Sequence, residues 1–152
     1  MPDGVILRTG QAWHTNLWDV FHAMDGVLLT HNWLITDWAC NQDIPSLCQD
    51  PLWFTGLELA ELLQKHQDLQ WIWAVVSGFD PAIRREQVME YPLPWADGNE
   101  AIWQSSPAIQ HPLADLEILA WDSSMTVVIS RCAQELASLK RAFPLGEWTS
   151  AL

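Results

Sequence analysis

The chain has 152 residues, enough for one domain whose core needs no disulfide. Hydrophobic residues make up 49%, which excludes a disordered chain, and no apolar run approaches the roughly 20 residues of a membrane span. There are 19 acids against 7 bases, a formal net charge of −12, which disfavours direct binding to nucleic acid or to an anionic membrane surface and favours a basic protein partner.

The N-terminal Met1-Pro2-Asp3-Gly4 lacks a basic segment followed by an apolar core, so no secretion signal is expected. Residues 5–8 read as a short first strand. Thr15 or Asn16 can cap a helix in which Leu17, Val20, Phe21 and Met24 recur at helical spacing, with Gly26 ending it. Residues 27–30 and 33–38 read as strands. They form either a hairpin turning at His31-Asn32 or one longer bent strand. Residues 41–51 are rich in Asn, Gln, Asp, Pro and Ser and read as a loop.

Thr55 and Glu58 have capping-box spacing, and Leu59, Leu62 and Leu63 supply the buried stripe of a helix ending near His66. Residues 71–77 are apolar on both alternating faces, the mark of a central strand. Asp80 as cap and Pro81 as first helical residue start a short helix to about Glu90. From 91 to 114 the pattern weakens. Four prolines and Asp97-Gly98 punctuate it, with Ala101, Ile102 and Trp103 as a strand fragment.

The most regular stretch is 115–144. Residues 116–121 and 125–130 are two apolar runs around a polar turn, a hairpin with a four-residue loop. Only Glu117, Thr126 and Ser130 are polar within the runs, so the hairpin belongs near the middle of a sheet. Ser130 caps a following helix whose stripe is Ala133, Leu136, Ala137 and Phe143, with Leu139 on the flank and Pro144 as its end. The last residues, 145–152, pack Trp148 back on the body. The expected architecture is a single α+β domain over 1–152, with a largely antiparallel sheet, helices mostly on one face, and an irregular region at about 91–114.

Motifs for chemistry are missing. Cys40, Cys48 and Cys132 lack metal-ligand spacing and fit reduced thiols in a cytoplasmic protein. The five histidines, His14, His22, His31, His66 and His111, form no zinc motif, and no nucleophile elbow, phosphate loop or dinucleotide fingerprint is present. No catalytic residue, metal or cofactor is therefore expected, and a non-enzymatic role is favoured.

The 11 tryptophans are the other unusual property. Trp71, Trp73 and Trp121 fall in inner strands and are read as core. Trp53, Trp95 and Trp103 fall in loops, where aromatic side chains serve as contact anchors. Trp95, Asp97, Glu100 and Trp103, with Asp80 and Glu90, are the candidate contact patch. In broad character the chain resembles bacterial immunity proteins, small acidic α+β domains that neutralise a basic toxin such as a nuclease. The resemblance is one of composition and covers no motif. It implies an acidic protein-binding module. The alternative is a small-molecule binder or enzyme with a pocket between the sheet edge and the 91–114 loop, lined by Trp95 and Trp103 and served by Asp97, Glu100, Asp115 or His111. A homodimer that buries exposed tryptophans is the third reading.

Overall fold

The computed structural model describes residues 4–9, 14–24, 26–104 and 106–151. Trp13 and the extreme N-terminus lie outside the described residues. Seven strands form one sheet: β1 (Gly4–Leu7), β2 (Asn32–Cys40), β3 (Leu52–Phe54), β4 (Trp71–Phe79), β5 (Leu116–Trp121), β6 (Met125–Ser130) and β7 (Glu147–Trp148). Their order is β3-β2-β4-β5-β6-β1-β7, and every pairing is antiparallel. The β5–β6 hairpin lies at the centre, as its lack of polar residues requires.

Alternation along the strands divides the core in two. Leu116, Ile118, Ala120 and Val128 point to one face, where α1 (Leu17–Ala23), α2 (Val27–Thr30), α3 (Gly56–Lys65) and α6 (Ala133–Ala142) cover them. Val75, Leu119, Val127 and Ile129 point to the other face. Among the described residues no long helix lies there. The 80–114 stretch covers it instead, through Val88, Ala96, Ile109 and Ala114, together with the one-turn helices α4 (Arg85–Val88) and α5 (Ala101–Gln104). The sequence is irregular here because the segment is a cover, shaped by what lies beneath it.

The strongest local signals are realised. Thr55 accepts the Glu58 amide hydrogen while Glu58 accepts that of Thr55, the reciprocal box that starts α3. Asn16 caps α1 by accepting from the Asp19 amide. Trp148 returns to the sheet as β7, paired with Val5.

Other expectations change. Residues 27–30 are a helical turn and not a strand: Gly26, at φ +77°, starts α2 where it was expected only to end α1, and Thr30 bonds back to the Val27 carbonyl. No hairpin turns at His31-Asn32, because β2 begins there and runs nine residues. Residues 101–104 are helix and not strand. The helix expected from Pro81 shrinks to α4, since Asp80 caps only a turn through the Ala82 amide. The β5–β6 loop is three residues, not four: Trp121 pairs with Met125, and Asp122 and Ser123 take positive φ to close it. Cys132, not Ser130, stands at the α6 cap, and Leu139 is fully buried at the centre of the stripe.

Candidate functional site

Seven large hydrophobic side chains are exposed among the described residues, and four of them fall within residues 89–95. Met89 is 39% exposed, Tyr91 37%, Leu93 39% and Trp95 49%. The chain here reads Met-Glu-Tyr-Pro-Leu-Pro-Trp. Each proline removes a backbone donor and holds the residue before it extended, so the strip is stiff and cannot fold its apolar side chains into a helix. Val88, Pro94 and Ala96 point inward and seat it on the sheet.

Hydrogen bonds hold both ends of this strip to one dipeptide. At the first end, the His111 ring Nε2 lies 2.9 Å from the Val88 carbonyl. At the second, the Gln110 side chain mimics a backbone partner: it accepts from the Trp95 amide and donates to the Trp95 carbonyl, both at 3.0 Å. The dipeptide is itself fixed by Glu117, a buried carboxylate on β5. Glu117 accepts from the amides of Gln110 (2.6 Å) and His111 (3.1 Å) and from the Ser77 hydroxyl (2.8 Å). Burial pushes this carboxyl above the ordinary range, and the three donors oppose the rise. A second carboxylate secures the far end. Asp37, at a positive-φ position in β2, accepts the amides of Ala96 and Asp97, both at 2.8 Å. Trp95 is thus half-exposed on a backbone that is bonded on every side.

The expected contact residues divide. Asp97 and Glu100 are exposed just beyond Trp95, and Glu90 is exposed within the strip. Asp80 is exposed at the turn that opens the cover, and Glu86 adds another exposed acid on α4. Trp103 differs: it is half-buried and packs edge-on against Trp121 at 5.2 Å, which in turn packs on Trp73 at 4.9 Å. Trp53 stands on edge strand β3, half-buried beside Phe79. Met89, Tyr91 and Leu93 escaped sequence reasoning. The signal available was the alternation of apolar residues with Pro92 and Pro94.

Ser77, His111 and Glu117 are the three residue types of a hydrolytic triad, but their bonding is wrong for one. Ser77 donates to the carboxylate and not to the imidazole. The His111 ring faces the Val88 carbonyl on one side and accepts from the Leu113 amide on the other. All three side chains are buried, so no substrate reaches them. A second polar pair, His31 and Asp115, meets at 2.8 Å. The other ring nitrogen of His31 lies 3.0 Å from the Val27 carbonyl, so acceptors stand on both sides of the ring. The Asp115 bond raises the His31 pKa, against the opposing effect of burial.

Among the described residues, four of the surface cavities have volumes of about 290 to 470 Å³, and none of these four is lined by Trp95, Asp97, Glu100 or Trp103. The 91–114 loop contributes only Ala108 and Ile109 to one of them, beside Ile129, Ser130 and Arg131. Among the described residues no group of three or more His, Cys, Asp or Glu side chains is placed to hold a metal ion. No helix among them is long and apolar enough to cross a membrane. No family model matches the chain, and no curated protein or solved structure is significantly similar to it.

Proposed function

We propose that this protein is a non-enzymatic, acidic protein-binding module, and that the 89–95 strip engages a basic partner in the manner of an immunity-like inhibitor. One observation carries the reading: four exposed apolar side chains in seven consecutive residues, tied at both ends to a buried network and flanked by exposed acids. Trp95 is the anchor, because a large, rigid aromatic surface loses little entropy on binding when its backbone is already fixed. Met89, Tyr91 and Leu93 extend the apolar contact. Glu86, Glu90, Asp97 and Glu100 form a rim that steers a cationic surface, with Asp80 at its edge. Trp103 serves from beneath as packing. Three free thiols, two of them exposed, suit a reducing compartment, and we place the protein in the cytoplasm.

The test is capture from native cells with the tagged protein and with a Tyr91→Ala/Trp95→Ala variant, at low and high salt. The expected result is one stoichiometric basic protein, held less well at high salt and lost by the variant. Equal capture by the variant, or no protein partner at either salt, would sink the reading.

A further inference from the structure

The backbone of the 89–95 strip has a hydrogen-bonding character of its own. Pro92 and Pro94 carry no amide hydrogen, and that of Tyr91 is taken by the Val88 carbonyl at 3.3 Å. Between Tyr91 and Pro94 only Leu93 keeps an amide hydrogen without a partner among the described residues. The carbonyls of Tyr91, Pro92 and Leu93 meet no donor among those residues, and all three residues are exposed. A partner strand cannot add to such a backbone, because pairing needs amides as well as carbonyls. What this backbone offers a partner is acceptors.

The side chains add two further kinds of electron-rich group. Tyr91 and Trp95 present aromatic rings, whose faces are negative. Both rings are seated. Tyr91 packs edge-to-face on the buried His111, with centroids 5.2 Å apart, and a Cβ on Gly98 would lie 3.9 Å from Cζ3 of Trp95. The second contact brings the Asp97-Gly98 turn alongside the Trp95 ring. Exposed carboxylates complete the set: Glu90 within the strip, Asp97 and Glu100 beyond Trp95. No ion pair among the described residues engages these three acids. Arg84 and Arg85 stand at the start of α4, and no Lys or Arg follows in the chain before Arg131, which donates to the Ala114 carbonyl.

We infer that the group the partner brings to this strip is arginine: a guanidinium that lies over the ring of Trp95 or Tyr91 and donates to the neighbouring carbonyls and carboxylates. The inference rests on the reading of the strip as the partner surface and adds the chemistry the partner must supply. Three properties of guanidinium match three of the strip. It is planar, so it stacks on an aromatic face. It carries five N–H donors and no acceptor, which suits a backbone of unpaired carbonyls. It is weakly hydrated, so pressing it against an apolar strip costs less than for an ammonium. Lysine has the charge but neither the plane nor the fork. The acids attract both cations, and the two rings choose between them.

Oligo-arginine and oligo-lysine peptides of equal length test this on the whole chain. Titration calorimetry gives the two affinities, and amide chemical shifts locate the contact. The expected result is oligo-arginine bound about tenfold more tightly than oligo-lysine, with shifts centred on residues 89–100. In a Tyr91→Leu/Trp95→Leu variant the ratio should fall to near one. A Glu90→Gln/Asp97→Asn/Glu100→Gln variant should weaken both peptides and keep the preference. Equal affinities for the unaltered chain would overturn the inference, and that comparison needs no variant to fold. So would an arginine preference that survives Tyr91→Leu/Trp95→Leu, or shifts centred away from the strip. The broader reading fails separately, when native cells yield no basic protein. A captured partner together with equal peptide affinities would leave that reading standing and remove arginine from it.

Discussion

Trp103→Ala should cost the fold far more than Trp95→Ala, although both residues stand in the same irregular stretch. A tryptophan buries roughly 150–250 Å² when enclosed. Trp95 is 49% exposed, so folding covers about 100 Å² of it. At about 25 cal/mol per Å² that is at most about 2.5 kcal/mol, and about 1.5–2 once a compact unfolded state is allowed for. Trp103 buries more, about 150 Å², and makes an edge-on contact with Trp121 at 5.2 Å. Its loss amounts to about 2–4 kcal/mol of area and about 1 kcal/mol of aromatic pairing, in line with the roughly 3–5 kcal/mol usual for such truncations. The gap between the two variants is about 2 kcal/mol. With a urea slope of about 2 kcal/mol per M, the midpoints should differ by about 1 M. Urea unfolding followed by far-ultraviolet circular dichroism measures this without relying on the altered tryptophan signal. If Trp95→Ala is as damaging as Trp103→Ala, Trp95 belongs to the core and cannot be a free anchor.

Three further outcomes are expected. Gly78→Ala should destabilise by about 1–3 kcal/mol, because the new Cβ would lie 2.7 Å from Cζ3 of Trp33. Trp33 cannot retreat: it is fully buried, bonded through Nε1 to the Leu28 carbonyl and packed on Phe21; an unchanged calorimetric melting temperature would show that it can. Glu117→Gln sets an amide donor among three buried donors, which should cost about 1–3 kcal/mol and speed hydrogen exchange at the Gln110, His111 and Trp95 amides above that of β1. Uniform exchange across the sheet would contradict the frame drawn from Glu117 to Trp95. For His31 the sign follows from a folded pKa raised above the ordinary 6.5: the stabilisation is fully present below that value and is lost as pH rises through the folded pKa. Asp115→Asn should therefore lower stability at about pH 6 and make little difference at about pH 9, and a deficit unchanged at the higher pH would rule out the linkage.

Several elements were legible in the chain because their causes are local. The apolar runs of β4, β5 and β6 need to be covered on both faces, and they occupy the middle of the sheet. The start of α3 is written in Thr55 and Glu58, three residues apart. Position in a loop marked Trp53, Trp95 and Trp103 alike, and of these Trp95 is exposed while Trp53 and Trp103 are half-buried. The helix α2 was not legible. Its Val-Leu-Leu-Thr run suits a strand, and only Gly26 at positive φ and the close seat against Gly56 turn it into a helix.

The frame around Trp95 was the least legible part, and the reason is distance along the chain. Asp37 reaches amides 59 and 60 residues away, and Glu117 meets Ser77 across 40 residues. In the sequence Glu117 was only a break in an apolar run, and Asp37 one acid among 19. Periodicity, capping and charge act over a few residues, so the sequence by itself determined the sheet-forming runs, the capped starts of α1 and α3, and the acidity. Which acids turn inward to hold backbone amides, and which remain outside as a rim, depends on strand order. Only the tertiary structure decided that, because a carboxylate is held in the core only where folding brings donors to it.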